Sequence, residues 1–403
     1  MIDVRAHLAR KPLLFDGGMG TYYKAKPGTE CEQGNLLDPA GVRKVHREYL
    51  AAGAEAIKTN TFGLPRMAAA RQPDWQALAR AGWKLAAEAA VETGAAVFAD
   101  LGPAPDTEAA PAGSIYTAVA RCFVEQGAKN FLFETLSSDA GVLEAVQAVK
   151  AQVPDAFVLV SFAVLPDGYT REGMYSKDLV RRMTESGIVD AVGFNCVSAP
   201  GAMRTLVQQL GSTALPLSVM PNAGYPVVTR TQVKYQGKPE YFAKELARIA
   251  AEGVRILGGC CGTTPAHIAA LRAALDSLPA VKKAAPAVQV STPEAPTVEK
   301  DDAFLRKLNA GKKVIAIELD SPEDADLTNY LAGAKRLQAA GADLLTIADC
   351  PIARARMDSS LVACRVHREL GLCTLPHMTC RDRNLNATKA LLLGLYAEGV
   401  REV

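Results

Sequence analysis

A unit that recurs every few tens of residues most constrains the fold of this chain: an amphipathic helical segment, a glycine, and a short apolar run. Each glycine stands where the end of a helix favours a left-handed residue. These glycines are Gly53, Gly94, Gly127, Gly187 and Gly253. The pattern predicts eight strands, at Leu13–Phe15, Ala56–Thr59, Ala96–Ala99, Asn130–Phe133, Phe157–Phe162, Ala191–Phe194, Leu217–Met220 and Arg255–Leu257.

Apolar strands that alternate with helices predict a parallel sheet covered on both faces. Eight such units before residue 280 fit a closed (β/α)8 barrel, which typically takes about 250 residues. A doubly wound open sheet is the alternative, although no G-x-G-x-x-G run follows the first strand. We therefore expect an α/β chain that begins with a TIM barrel.

The pattern stops at residues 281–300, which are rich in Ala, Pro, Val and Thr and have neither a helical nor a strand period. This composition predicts a semi-extended linker. Beyond it the alternation restarts, with strands predicted at Val314–Leu319, Leu344–Ile347 and Cys373–His377 and helices at Asn329–Ala340, Ser359–Leu370 and Ala387–Glu398. We expect a barrel over residues 1–280, a linker over 281–300, and an incomplete second β/α barrel-like segment over 301–403.

The composition narrows the class of protein. The chain has 403 residues, 49% of them hydrophobic, and a formal net charge of +2. This near-neutral balance gives no reason to expect nucleic acid or a membrane surface as a partner. We find no apolar run long enough to span a bilayer and no signal peptide. The nine cysteines then favour reduced thiols and metal chemistry over a disulfide scaffold, and we expect a cytoplasmic protein.

Two adjacent cysteines, Cys260 and Cys261, lie between glycines after the last predicted strand of the barrel. A disulfide between such neighbours would be strained. Cys196 follows another predicted strand in the same way, although alone it would more often be a small buried apolar residue. Three thiolates with one coordination position left open predict a catalytic rather than a structural zinc site.

Polar and glycine-rich clusters follow nearly all of the predicted barrel strands. Ligands of such barrels bind at the carboxyl ends of the strands, so we expect these clusters to surround one active site. They are Asp16–Thr21, Thr59–Gly63, Asp100–Pro103, Glu134-Thr135, Asn195-Cys196, Pro221–Gly224 and Cys260-Cys261.

Individual residues in these clusters leave alternatives open. Asp16–Thr21 is either a plain turn or a run of backbone amides that would hold a carboxylate. Glu134 follows an apolar strand, where a carboxylate is costly unless it meets a cation: a substrate ammonium or a structural Lys or Arg. Asn60 and Asn222 are either hydrogen-bonding residues of the rim or turn formers. We interpret His267 as a helix-face histidine, since three sulfurs already leave zinc the one open position that it needs.

Four motifs in this order resemble the homocysteine S-methyltransferase family: DGGMGT, TNTFG, FNC and GGCCGTTP, spread over the first 280 residues. The resemblance implies a (β/α)8 barrel that methylates homocysteine to methionine. It implies zinc held by Cys196, Cys260 and Cys261, with the homocysteine thiolate at the fourth position. It also implies that the Asp16–Gly20 loop and Glu134 hold the amino-acid end of homocysteine. We therefore name Asp16, Gly17, Gly18, Gly20 and Glu134 as substrate contacts, together with the rim residues Asn60 and Asn222.

The segment after the linker resembles the first strands of methylenetetrahydrofolate reductase, a flavin-dependent barrel. The resemblance rests on Ile317–Pro322, Ala342–Thr346 and Pro376–Asp382, although ELDSP departs from the commoner E-F-x-P-P run. It implies that Glu318 is an acid toward folate and that the His377 region contacts FAD. About 100 residues follow the linker, less than half a barrel. We therefore expect either a truncated chain or a segment that has lost the reductase role, with FAD binding possible if the barrel is completed.

The sequence does not identify the methyl donor. No D-x-H-x-x-G run is present, so we expect no corrinoid domain within the chain. The donor is then either methylfolate, acting through a separate corrinoid protein, or a sulfonium compound. Two alternative functions stay open: a structural zinc or thiol-redox protein that uses Cys260-Cys261, and a methyltransferase whose C-terminal segment is only an interaction module.

Overall fold

The computed structural model describes residues 2–228, 233–235, 237–277, 303–351, 354–380 and 383–403. The chain divides into two compact units, Met1–Val290 and Ser291–Val403, which are described separately below. The predicted linker at 281–300 lies outside the described residues. Within them, no helix has both the length and the apolar character needed to span a membrane.

The first unit is built on eight parallel strands. They are β1 (Leu13–Leu14), β2 (Ala56–Lys58), β3 (Ala96–Leu101), β4 (Asn130–Leu136), β5 (Phe157–Phe162), β6 (Ala191–Asn195), β7 (Leu217–Met220) and, after an antiparallel hairpin of β8 (Pro226–Val228) and β9 (Val233–Tyr235), β10 (Ile256–Leu257). Their order is β1-β10-β7-β6-β5-β4-β3-β2. A parallel bridge from Phe15 to Ala56 joins β1 to β2 and closes the ring. The predicted (β/α)8 barrel is confirmed, and the doubly wound alternative is wrong.

Helices separate the barrel strands. They are α1 (Val4–Leu8), α2 (Met19–Tyr22), α3 (Gly34–Leu37), α4 (Pro39–Ala51), α5 (Leu64–Ala69), α6 (Trp75–Ala90), α7 (Ala112–Val124), α8 (Val142–Gln152), α9 (Ser176–Glu185), α10 (Pro200–Leu210), α11 (Pro239–Ala251) and α12 (Pro265–Asp276), with a 3-10 turn at Cys31–Gln33. The Asp38 side chain caps α4 by accepting from the Gly41 amide at 3.0 Å. All five predicted glycine stops have φ between 66° and 101°, the left-handed region that glycine adopts without strain.

The strands alternate between two apolar clusters. Phe15 and Phe98 face into the barrel, whereas Leu14 and Val97 pack outward against the helices. Burial of one such large side chain contributes about 1.5–3 kcal/mol. Helix α1 closes the amino end of the barrel with Val4 and Leu8, which belong to the interior cluster. The barrel interior is therefore filled, and ligands have access from the opposite rim.

The second unit is an open parallel sheet of three strands in the order β11-β12-β13. Its elements are α13 (Ala303–Asn309), β11 (Ala316–Glu318), α14 (Thr328–Ala339), β12 (Leu344–Ile347), α15 (Ser359–Leu370), β13 (Cys373–Pro376) and α16 (Leu385–Ala397). A separate core contains Leu345, Ile347 and Val362. The predicted strands and helices agree with these elements to within two residues at each end, and only α13 was not predicted.

Candidate metal and substrate site

Three cysteine sulfurs meet at the carboxyl ends of β6 and β10. The Sγ atoms of Cys196, Cys260 and Cys261 all lie within 4.8 Å of one another, and those of Cys196 and Cys261 are 3.8 Å apart. Tetrahedral zinc with bonds of about 2.3 Å to sulfur requires sulfurs about 3.8 Å apart. All nine cysteines are free thiols. The three sulfurs thus have the donor type and the spacing of a zinc site with one position to spare.

Backbone contacts with β7 and its following loop fix the positions of these cysteines. The Cys196 amide donates to the Met220 carbonyl at 3.1 Å, and the Cys260 amide donates to the Pro221 carbonyl at 2.8 Å. The Cys261 amide donates to Asn222 Oδ1 at 3.1 Å. Cys196 has φ of 59°, a strained value that persists only where the surroundings enforce it. Asn222 therefore holds the cysteine loop in place.

The glycine-rich first loop fits closely against the cysteine loop. A Cβ on Gly18 would lie 2.5 Å from the Cys260 carbonyl oxygen, and one on Gly17 would lie 2.6 Å from Thr263 Oγ1. The Gly18 amide donates to Thr263 Oγ1 at 2.9 Å. The Gly18 amide is thus already paired within the protein. Gly20 lies in a more open part of the loop, where a Cβ would meet no atom within 4 Å. Glycine is required at positions 17 and 18, because the backbone of Cys260 approaches Gly18 and the side chains of Thr263 and Tyr49 leave no space for a Cβ on Gly17.

A cavity of about 250 Å³ lies between this loop and the sulfurs. Of the residues named from the sequence, Gly18, Gly20, Asn60, Glu134 and the three cysteines line it. Asp16, Gly17 and Asn222 are not among the lining residues. The other lining residues are Met19, Thr21, Cys31, Glu32, Lys58, Thr59, Thr61, Phe62, Asp100 and Thr135.

A buried lysine faces several buried carboxylates at one side of this cavity. Lys58 Nζ lies 3.6 Å from Glu134 Oε2 and 3.9 Å from Asp16 Oδ1. Asp100 is 3% exposed, and its Oδ1 has no hydrogen-bond partner. Desolvation raises the pKa of Asp16 to about 7 and that of Glu134 to about 7, although Lys58 opposes both shifts. Desolvation also raises the pKa of Asp100.

One lysine cannot keep three buried carboxylates ionised, and their raised pKa values mean that they are partly protonated near neutral pH unless another cation binds. An additional cation would favour the ionised form of each carboxylate. The two partners that the sequence allowed for Glu134 are therefore compatible: Lys58 is a structural cation, and a ligand ammonium is the kind of additional cation that would favour ionisation of the carboxylates.

Asn60 and His267 use their polar atoms within the protein. Asn60 Nδ2 donates to the Cys31 carbonyl at 2.8 Å, and Cys31 Sγ donates to Asn60 Oδ1 at 3.1 Å. Asn60 thus fastens the turn that begins at Cys31 to the end of β2. His267 Nδ1 accepts from the Thr264 amide at 3.2 Å, which places the ring proton on Nε2, 3.1 Å from the Gly237 carbonyl oxygen. As expected from the sequence, His267 lies on α12, where its side chain also completes a capping box with the N-cap residue Thr264.

Lys58 was not expected at the site from the sequence, whereas Asp100 and Asn195 belong to the predicted strand-end clusters but were given no individual role. Lys58 is the one charged residue of β2 and immediately precedes the TNTFG run, so a cation inside an apolar strand was a usable signal. Asn195 precedes Cys196 at the end of β6 and is fully buried. Its importance depends on contacts with β4 and β5, which no local pattern reveals.

Glu318 and His377, the residues named in the second unit, follow the same rule of strand ends. Glu318 ends β11 and is exposed, and His377 follows β13 and is partly buried. The His377 amide donates to the Ile347 carbonyl at 2.9 Å, and its carbonyl accepts from Ser359 Oγ at 2.8 Å. Their strands flank β12 on either side.

Comparison with known protein families agrees with this geometry. Residues 13–275 match the homocysteine S-methyltransferase family, and residues 303–403 match methylenetetrahydrofolate reductase. The chain is 32% identical over 307 residues to methionine synthase of Mycobacterium tuberculosis, a match that covers 69% of this chain and 25% of the relative. It thus spans about a quarter of the length of that relative.

Two relatives from Escherichia coli match the barrel over nearly their whole length. Homocysteine S-methyltransferase is 29% identical over 296 residues, covering 65% of this chain and 94% of the relative. The crystal structure of a homocysteine methyltransferase in its metallated form matches with a TM-score of 0.54 and 25% identity, covering 67% of this chain and 99% of that one. The chain belongs to the homocysteine S-methyltransferase family and carries a methylenetetrahydrofolate reductase-like domain after its barrel.

Proposed function

We propose that the barrel transfers a methyl group to the sulfur of homocysteine, giving methionine, with zinc held by Cys196, Cys260 and Cys261. The observation that carries the proposal is the group of three sulfurs at zinc spacing on the wall of a cavity of about 250 Å³. A free thiol has a pKa of about 8.5 and is mostly protonated at neutral pH. Zinc in this site would supply the missing activation by binding the homocysteine sulfur as the thiolate.

The residues of the chain bind and orient the amino-acid end of homocysteine. The carboxylates of Glu134 and Asp100 supply the negative charge that binds the ammonium, and the positive charge of Lys58 offsets part of it. The loop around Gly20 borders the same cavity and leaves room for the carboxylate. The methyl transfer is a displacement: an electron pair of the homocysteine sulfur forms the bond to the methyl carbon, and the bond from that carbon to the donor breaks with its pair on the donor.

The donor is either a sulfonium compound or a methylcorrinoid on a separate protein, charged from methylfolate. Both carry a methyl group on a good leaving group, as the displacement requires. Assays of purified protein with homocysteine and S-methylmethionine or methylcobalamin separate these donors, and betaine, a quaternary ammonium compound, tests a donor outside both classes. Methionine formed from one of them identifies the donor class.

Zinc titration with and without homocysteine tests the proposal itself. We expect one zinc per chain and tighter zinc binding when homocysteine is present, because the amino acid completes the coordination. A closed zinc site that ignores homocysteine would instead support the structural zinc or thiol-redox alternative.

For the second unit, we propose the role suggested by its reductase-like match: Glu318 as an acid toward folate and His377 near FAD. The match over residues 303–403 and the location of both residues at strand ends support it. Titration with FAD, followed by quenching of flavin fluorescence, tests it. We expect the 403-residue chain by itself to bind FAD weakly or not at all, because less than half a barrel follows the linker, and stoichiometric binding would show that this segment suffices for a flavin site.

A further inference from the structure

Two consecutive residues of β4 face the substrate cavity, which a regular strand does not allow. Glu134 and Thr135 both line the cavity, although neighbours in a strand point to opposite faces. The reason is local: Thr135 has φ of 60°, and the register between β4 and β5 shifts between Phe133 and Leu136. A positive φ is strained for a β-branched residue, so other groups must hold Thr135 in place.

The side chain of Asn195 holds Thr135 from both of its polar ends. Asn195 Oδ1 accepts from the Thr135 amide at 2.9 Å, and Asn195 Nδ2 donates to Thr135 Oγ1 at 2.7 Å. Ser161 Oγ donates to the same Oδ1 at 2.8 Å. A backbone amide can only donate, so the carboxamide oxygen is fixed on the Thr135 side and its orientation is not ambiguous.

The same nitrogen of Asn195 lies near two further groups that line the cavity. Nδ2 lies 3.3 Å from Glu134 Oε2 and 3.9 Å from Cys260 Sγ. Asn195 is fully buried and directly precedes Cys196, whose backbone is also strained. The Asn195 carboxamide thus contacts three groups: Glu134, which is proposed to bind the ammonium; Thr135, the strained neighbour of Glu134; and the Cys260 sulfur of the metal site.

We propose that Asn195 is a positioning residue that ties the metal end of the site to the amino-acid end, so that zinc and homocysteine bind cooperatively. The inference rests on the proposed function, because it assigns the two ends to one substrate. Groups that orient metal ligands typically change metal affinity by about 10–100-fold when they are removed. Asn195 differs from such a group in also contacting Glu134, the carboxylate proposed to bind the substrate ammonium.

The test measures zinc affinity by competition with a chelator, with and without homocysteine, in the full-length protein. We expect Asn195→Ala to weaken zinc binding about tenfold or more and to reduce the factor by which homocysteine tightens zinc. Ser161→Ala, which removes one support of Asn195, should act in the same direction with a smaller effect. It decides the question if Asn195→Ala does not fold.

A matched control and a rescue variant separate positioning from plain stability. Asn130, at the other end of β4, donates from Nδ2 to the Val97 carbonyl at 3.2 Å, and Asn130→Ala should leave both affinities within twofold of the parent. Adding Thr135→Gly to Asn195→Ala should restore stability, because glycine adopts the positive φ without strain. It should not restore zinc affinity or the effect of homocysteine.

The proposal is overturned if Asn195→Ala folds and binds zinc and homocysteine within twofold of the parent, or if Asn130→Ala shows the same losses. Restoration of both affinities by Thr135→Gly would also overturn it, since Asn195 would then act through stability alone. A parent protein that binds zinc but not homocysteine would refute the proposed function. The zinc measurements without homocysteine would still report on the contact between Asn195 and Cys260.

Discussion

The two units of this chain are built from the same β/α alternation but differ in how completely they bury it. All six residues of β3 are buried in the barrel, whereas β11 in the second unit has an exposed, partly buried, exposed pattern. The ring of eight strands has no edge, and the described three-stranded sheet has two. Closure also brings strand ends together around one cavity. The comparison teaches that one local pattern yields a convergent site only where the sheet closes on itself.

The largest effect is expected from the metal site of the closed unit. Cys196→Ala, Cys260→Ala and Cys261→Ala should each reduce methyl transfer to background and remove most of the bound zinc, with little loss of helical signal. Barrel stability lies in the strand interior, so residues at this rim are replaceable without unfolding. Activity assays, metal analysis and circular dichroism check this prediction.

Cys122→Ala is the matched control for these variants. Cys122 is buried on α7, in the cluster between strands and helices, and does not belong to the group of three sulfurs. It should keep its zinc and its activity. Loss of the fold together with the metal in Cys260→Ala would mean that the barrel depends on zinc as a structural element, contrary to the comparison.

A smaller effect is expected at the amino-acid end of the site. Glu134→Gln should weaken homocysteine binding roughly a hundredfold or more, since removing one partner of a buried charge pair typically costs about 3–5 kcal/mol. Zinc content should stay near one per chain. Glu88→Gln, which breaks an exposed ion pair with Arg43, is the control and should change nothing measurable. Unchanged homocysteine affinity in Glu134→Gln would show that Glu134 is only a structural partner of Lys58.

The elements of both units could be predicted from the sequence because their determinants are local. The glycines at 53, 94, 127, 187 and 253 all adopt positive φ, and Asp38 caps α4 directly before Pro39, the first residue of that helix. Apolar runs of strand length were sufficient to place the eight barrel strands. Such features depend on the preference of a few neighbouring residues, and tertiary contacts reinforced them.

The chemistry of the cavity could be predicted only in part. Cysteine spacing and the rule of strand ends brought the three sulfurs together. The same rule predicted Asp16 and Asn222 as substrate contacts. In the structure neither lines the cavity, and both make contacts within the protein: Asp16 with Lys58, and Asn222 with the Cys261 amide. Which side of a loop faces the cavity depends on strain and packing across strands. The bulge at Thr135 and its support by Asn195 are of this kind, and neither leaves a local pattern.

The free energy of unfolding should depend on pH in opposite directions in the two units, an effect of intermediate size. Burial raises the pKa of Asp16 to about 7, above its ordinary value of 3.8. Between about pH 4 and pH 7 the unfolded chain then releases a proton that the folded barrel retains, so the Asp16 contribution to stability falls as the pH rises. Asp16→Asn should remove this contribution and change the slope of barrel stability by up to about 1.4 kcal/mol per pH unit.

Tryptophan fluorescence during denaturant unfolding measures this slope for the barrel alone. Both tryptophans of the chain, Trp75 and Trp83, lie on α6. The second unit should respond in the opposite sense: hydrogen bonds from Lys307 lower the pKa of Asp343, so its contribution is lost as the pH falls through the acidic range. Identical slopes in the parent and in Asp16→Asn would show that Asp16 titrates normally in the folded barrel.

The smallest effect on methyl transfer is expected from a large change in the core of the second unit. Leu345 is fully buried on β12, and its cluster shares no residue with those of the barrel. Leu345→Ala should destabilise the second unit by about 2–5 kcal/mol, because it leaves a cavity in a small core. Hydrogen exchange at β12 and α15 should accelerate while tryptophan fluorescence and methyl transfer stay within experimental error of the parent.

Leu159→Ala makes the same change inside the barrel and should lower the tryptophan-detected stability by a similar amount. If Leu345→Ala also slowed methyl transfer, the two units would be energetically coupled, and the second unit would belong to the working methyltransferase.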